Sequence, residues 1–194
     1  MSEVLLYHHV QGLTEGVRSF ADELGQAGHT VHTPDLFDGR TFGTLEEGMA
    51  FAREEGFEAL AARGVAAAEG IAPEVVYAGF SFGVVVAQRL AQTRPGARGA
   101  LLMYSCLPVS EFGEAWPEGV PVQVHGKDGD EFFLEDVDAA RALVDSSDRA
   151  ELFLYPGTEH LFADSSLQAY DPAAAALLTE RVVAFLDEIG NGAS

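Results

Sequence analysis

Apolar residues along this chain fall into two alternating rhythms. Short apolar runs bounded by turn residues recur at Val4 to His8, Thr30 to Pro34, Glu74 to Gly79, Gly99 to Tyr104, Pro121 to His125 and Ala150 to Tyr155, and each predicts a buried strand. Between them lie segments of helical spacing. In Val17 to Gln26 the residues Val17, Phe20, Ala21 and Leu24 share one face, and Gly28 follows as a stop signal. Gly83 to Thr93, Asp136 to Val144 and Pro172 to Ile189 read as helices too, the last with a core stripe of Leu177, Leu178, Val182, Phe185 and Leu186. Thr44 to Gly70 predicts two helices around Gly56.

Strands alternating with helices imply an α/β fold, with a mostly or wholly parallel sheet covered on both faces. Ligands of such sheets bind beyond the carboxyl ends of the strands. With 194 residues, 47% of them hydrophobic, the expectation is one domain over residues 1–189 and a flexible polar tail over 190–194.

Charge narrows the function. The formal net charge is -20, and Lys127 is the only lysine. Such a surface repels phosphate backbones and anionic membranes, so neither nucleic acid nor membrane is expected as a partner. Cys106 is the only cysteine, which precludes an intrachain disulfide and suits a reducing compartment. The first residues have neither the positive start nor the long apolar core of a signal peptide, and a cytoplasmic location is expected.

One motif carries chemistry. Gly79-Phe-Ser-Phe-Gly83 stands between a predicted strand and a predicted helix. A serine in so tight a turn needs small residues two before and two after it, where the backbones pass closely, and the helix behind it favours negative charge at that spot. A serine hydroxyl is a weak nucleophile without a base, so a histidine and an acid must follow in the order Ser, Asp or Glu, His. Only His125 and His160 lie downstream of Ser81. His160 follows the last predicted strand and is the expected base, because His125 closes the strand after which the acid is expected. Asp128, Asp130 and Glu131 compete for the acid. A metallohydrolase has little support: His8 and His9 are adjacent and point to opposite faces, and no HExxH spacing occurs. No metal or cofactor is expected.

These residues resemble the dienelactone hydrolase family of α/β-hydrolases over most of the chain. The likeness rests on His9-Val-Gln-Gly12, Thr33-Pro-Asp-Leu-Phe37, Gly79-Phe-Ser-Phe-Gly83, Val122-Gln-Val-His-Gly126 with Asp130-Glu-Phe-Phe133, and Tyr155-Pro-Gly-Thr-Glu-His-Leu-Phe162. It implies the three-layer α/β-hydrolase fold, and favours Asp130 over Asp128 because a variable residue and then an aromatic pair follow it. It also implies an oxyanion hole from the Val10 and Phe82 N–H groups.

Three positions depart from the family pattern. Namesake enzymes carry cysteine where this chain has Ser81, glutamate where it has His9, and a substrate-holding arginine where it has Asp164. Serine suggests ordinary ester hydrolysis through an acyl-enzyme, as in a carboxylesterase, and Asp164 would repel a carboxylate substrate. Ser105 to Gly119 is too short for a lid domain, so the pocket is expected to be small and open. Candidates to line it are His9, Phe80, Leu107, Phe112 and Trp116, although core packing is the alternative for each. The resulting expectation is a serine hydrolase for small uncharged esters, lactones or thioesters, monomeric or homodimeric. The alternative is a binding or regulatory protein that keeps the fold without turnover.

Overall fold

The computed structural model describes residues 1–192. Six strands, β1 (Glu3–Tyr7), β2 (Thr30–His32), β3 (Val76–Phe80), β4 (Gly99–Met103), β5 (Val122–Lys127) and β6 (Ala150–Tyr155), form one sheet in the order β2-β1-β3-β4-β5-β6. Every neighbouring pair is parallel. All six predicted strands are present, and the fold is the expected three-layer α/β arrangement.

Alternation along the strands builds two cores. Leu5, Tyr7, Tyr77, Ala100, Leu102, Val122 and Val124 face one layer, while Val4, Leu6, Val76, Ala78, Phe80, Leu101 and Met103 face the other. The first is covered by α2 (Leu45–Glu55), α3 (Phe57–Ala67), α4 (Phe82–Thr93) and α5 (Glu131–Ser146); the second by α1 (Glu15–Gln26) and α6 (Pro172–Asn191).

Caps decide where the helices begin. The Thr14 hydroxyl accepts from the Val17 N–H to open α1, and Thr44 and Glu47 form a reciprocal capping box at α2. Asp171 caps α6, with Pro172 in its first turn. In α5 the prediction began too late, at Asp136. Asp130 accepts from the Phe132 N–H and starts the helix at Glu131, which brings Phe133 into the core beside Val137, Ala140 and Leu143. Leu177 is a correction to the predicted stripe of α6. It is 40% exposed, whereas Leu178, Val182, Phe185 and Leu186 are buried. The predicted tail is also shorter than expected, since α6 runs on through Asn191 and Gly190 lies against Met1. Residues 193 and 194 lie outside the described residues.

The segment from Ser105 to Gly119 is loop with one short 3-10 turn, Val109–Glu111, and no lid domain. Among the described residues no helix is long and apolar enough to cross a membrane.

Two glycines let backbones pass closely at the turn that carries Ser81. A Cβ on Gly83 would stand 2.3 Å from the Tyr7 carbonyl oxygen, and one on Gly79 would stand 2.4 Å from the Gly83 carbonyl carbon. The first turn of α4 therefore rests directly on the ends of β1 and β3. Gly25, inside α1, has nothing within 4 Å of its hypothetical Cβ. Gly83→Ala should cost about 2 kcal/mol or more in urea unfolding, because backbone cannot move aside, whereas Gly25→Ala should stabilise by about 0.5–1 kcal/mol.

Candidate active site

The carboxyl ends of β3, β5 and β6 bring three distant residues together. Ser81 follows β3 directly and has φ 49° and ψ -110°, a backbone conformation rare for a residue with a Cβ. Its N–H donates to the Met103 carbonyl at 2.7 Å, and its own carbonyl accepts from Val84 at 2.9 Å. The strained turn thus projects the side chain off the end of the sheet at the N-terminus of α4, whose first amides have no helical acceptor.

Asp130 and His160 complete a hydrogen-bonded chain. The Ser81 hydroxyl lies 2.9 Å from His160 Nε2, and His160 Nδ1 lies 2.5 Å from Asp130 Oδ2. The carboxylate can only accept, so Nδ1 carries the proton and Nε2 is free to take one from serine. Asp130 is buried, and its other oxygen accepts from the Phe132 N–H at 3.0 Å. The start of α5 therefore holds the carboxylate as a helix cap, where negative charge is favoured. Asp128 is exposed and accepts from the Gly157 N–H at 3.2 Å, so it ties the β5 loop to the β6 loop without touching the imidazole. His125 is fully buried between Gln123 and Tyr155.

Several residues that sequence reasoning missed hold this chain in place. Tyr104, at φ 71°, stacks on Phe80, presents its edge to His160 and accepts from the Ala163 N–H at 3.0 Å. Lys127 is buried and donates to Glu159 and Asp171, each at 2.7 Å, which anchors the segment before His160 to the start of α6. Burial pulls the Lys127 pKa down, but the two carboxylates more than reverse this and it ends above its ordinary value. The one signal for it in the sequence was its being the only lysine. Phe132 is 55% exposed with its ring centroid 4.9 Å from that of His160, and the exposed Phe57 lies against Phe82. Phe132 thus puts apolar surface beside the histidine, and Phe57 puts it beside Phe82, the residue after the serine.

The pocket expectations need correction. Phe80 is buried between Phe20 and Tyr104, because strand parity turns it toward the α1 and α6 layer. Trp116 is buried in the opposite core and donates to the Val120 carbonyl at 2.8 Å. His9 is fully buried. Leu107 and Phe112 are half-buried in the loop after β4. Asp164 is buried rather than presented to a ligand. One oxygen takes Thr14 Oγ1 at 2.5 Å and His9 Nε2 at 2.8 Å, and the other takes the Ser166 N–H and hydroxyl. Burial raises its pKa, but these donors outweigh it and hold the carboxyl below its usual range.

Cys106 is buried beside Asp136, and burial pushes its thiol up to about 12, so it is a neutral thiol at ordinary pH. Among the described residues no group of three His, Cys, Asp or Glu side chains is arranged to hold a metal ion.

A parallel sheet whose strand-to-helix turn carries a serine, hydrogen-bonded in sequence to an imidazole and a buried carboxylate, has the architecture of the α/β-hydrolase fold. A family model described as the dienelactone hydrolase family matches residues 2–190, and the chain belongs to that family. No curated protein matches its sequence. Solved structures similar to it include a dienelactone hydrolase from Anabaena variabilis, 19% identical with a TM-score of 0.65 over 95% of this chain and 84% of that one. A dienelactone hydrolase-like promiscuous phosphotriesterase from metagenomic libraries is 19% identical, with a TM-score of 0.71 over 97% of this chain and 87% of the other. The alpha/beta hydrolase domain-containing protein 10 from mouse is 14% identical, with a TM-score of 0.68 over 96% and 90%. At these identities the likeness is one of fold.

Two buried histidines away from Ser81 make folding pH-dependent. Burial pulls His8 down to about 4, with Asp35 opposing and Arg18 adding to the effect, and His125 down to about 3, with Arg181 adding to it. Both fold neutral, so from about pH 6.5 downward the unfolded chain binds more protons than the native one. Their contribution is complete above pH 6.5 and lost as pH falls toward the folded values, by up to about 1.4 kcal/mol per pH unit for each histidine. Urea unfolding between pH 5 and 6.5 should show this slope, and His125→Gln should reduce it by about one proton.

Proposed function

We propose that this hydrolase is a serine esterase for small uncharged esters, lactones or thioesters, acting through an acyl-enzyme. The observation that carries the reading is the chain from Ser81 through His160 to Asp130, with both hydrogen bonds formed and the acid buried.

In this reading the Ser81 oxygen attacks the substrate carbonyl as its proton passes to His160 Nε2. Asp130 keeps the imidazole in the Nδ1–H tautomer and stabilises the imidazolium that forms. The tetrahedral oxyanion is held by the N–H groups of Phe82 and Val10, each contributing on the order of 3 kcal/mol in the transition state. His160 then returns the proton to the leaving group, which departs and leaves the acyl group on Ser81. Water, deprotonated by His160, attacks the acyl-enzyme; collapse releases the acid and restores the serine.

The substrate class follows from what surrounds the serine. Phe132 and Phe57 offer apolar surface, Lys127 is committed to Glu159 and Asp171, and the position four beyond His160 is the inward-turned Asp164 rather than a cation. A substrate carboxylate has no partner of this kind to replace its water, so dienelactone itself is a poor substrate. With only a loop between Ser105 and Gly119, the site accepts short acyl groups best.

Ser81→Ala should lower kcat for p-nitrophenyl acetate about 10³-fold or more, and a fluorophosphonate probe should label Ser81. Iodoacetamide at neutral pH should leave activity intact, because the thiol is buried and protonated. Rates across p-nitrophenyl esters should fall as the acyl chain lengthens. Full activity in the alanine variant would remove the serine mechanism, and a folded protein that turns over no ester and resists the probe would be a binding protein. Efficient turnover of dienelactone would overturn the substrate class alone.

A further inference from the structure

His8 and His9 follow β1 directly, are fully buried, and form no hydrogen bond with Ser81, Asp130 or His160. Each is nonetheless held at both ring nitrogens. His8 Nδ1 lies 2.7 Å from the carbonyl oxygen of His9, which can only accept, so Nδ1 carries the proton. His8 Nε2 lies 3.0 Å from the Leu36 amide, which can only donate, so Nε2 is bare. One neutral tautomer satisfies both contacts.

The carbonyl that His8 holds belongs to the same peptide unit as the Val10 N–H. That unit is trans and planar, so its C=O and N–H point in opposite directions. The oxygen also accepts from the Gly12 N–H at 3.0 Å. Two donors on the oxygen remove the freedom of the plane to rotate, and they polarise the N–H on the far side. The next peptide is held from His9 itself. The Gln11 N–H donates to His9 Nδ1 at 3.2 Å, and His9 Nε2–H donates to Asp164, which Thr14 and Ser166 hold in turn. Gly48 packs so closely that a Cβ there would stand 2.1 Å from the Val10 oxygen.

We infer that His8 is a positioning residue for the oxyanion hole: its Nδ1–H, by clamping the His9 carbonyl, aims and polarises the Val10 N–H. This rests on the serine-esterase reading above. His8 touches neither substrate nor serine, and its effect belongs to the transition state, where charge develops on the substrate oxygen.

Two replacements separate positioning from packing. In His8→Asn the amide nitrogen stands where Nδ1 stands and keeps the donor to the His9 carbonyl. In His8→Gln the amide reaches the Nε2 position, keeping the Leu36 contact and losing the carbonyl one. With p-nitrophenyl acetate, His8→Asn should stay within about threefold of wild-type kcat. His8→Gln should lose about 10- to 100-fold in kcat with KM nearly unchanged, and should bind a trifluoromethyl ketone analogue of the ester more weakly by a similar factor. Equal activity in the two variants, or a change confined to KM, would overturn the inference. Should either variant fail to fold, long-range proton–nitrogen correlation on the wild-type protein at neutral pH decides instead: the proton must sit on Nδ1 of His8, and finding it on Nε2 ends the proposal. Ser81→Ala distinguishes the two levels. If that variant is inactive while His8→Gln is fully active, only the role of His8 falls, whereas an active Ser81→Ala removes the hydrolytic reading beneath it.

Discussion

The site depends on a backbone approach that only glycine permits. Gly83 lets the first turn of α4 rest on the carbonyl oxygen of Tyr7, and Gly79 lets the same turn fold back on β3. Ser81, caught between them, takes up a left-handed conformation that costs on the order of 1–3 kcal/mol and is held there by the Met103 and Val84 contacts. That strain lifts the hydroxyl off the sheet toward the loops after β5 and β6. It also sets the N-terminus of α4 beside the loop after β1, where the Val10 peptide lies.

Buried polar groups then carry the loops. Four clusters are distributed around the strand ends: His8 with Leu36, His9 with Asp164 and Thr14, Lys127 with Glu159 and Asp171, and Asp136 with Ser105 and the Cys106 amide. Each joins segments far apart in sequence. A buried polar group left unpaired costs about 1–3 kcal/mol, so each cluster resists any loop displacement that would open it. In a chain of net charge -20 the one lysine is held in the interior between two acids, while the excess of carboxylates faces solvent.

The same clusters explain the departures from the family pattern. The two residues that the resemblance sets against the family's glutamate and arginine, His9 and Asp164, are hydrogen-bonded to each other at 2.8 Å. Neither presents charge to a ligand, and Gly16 leaves the space that Asp164 occupies, since a Cβ there would overlap the carboxylate.

Much of the fold was legible because it follows from local periodicity. All six strands are visible as short apolar runs between turn residues, most of the helices as spacings of three to four, and glycine spacing marked the turn at Ser81. What went astray was set by neighbours. Leu177 has the right spacing for the core of α6 but lies at the edge of its stripe, and α5 starts five residues earlier than its apolar pattern because Asp130 caps it. Phe80 follows its strand's parity into the core, while Phe132, one residue before the buried Phe133, turns toward His160. The residues alone left three acids open at the end of β5, and the resemblance chose Asp130. Tertiary packing gave Asp130 to the imidazole and Asp128 to the Gly157 amide, as it gave Asp164 to His9. Composition and spacing determine which groups are available at the strand ends. Only the folded chain decides which pairs meet, because hydrogen bonds act over about 3 Å, while partners such as His9 and Asp164 are separated by 155 positions along the chain.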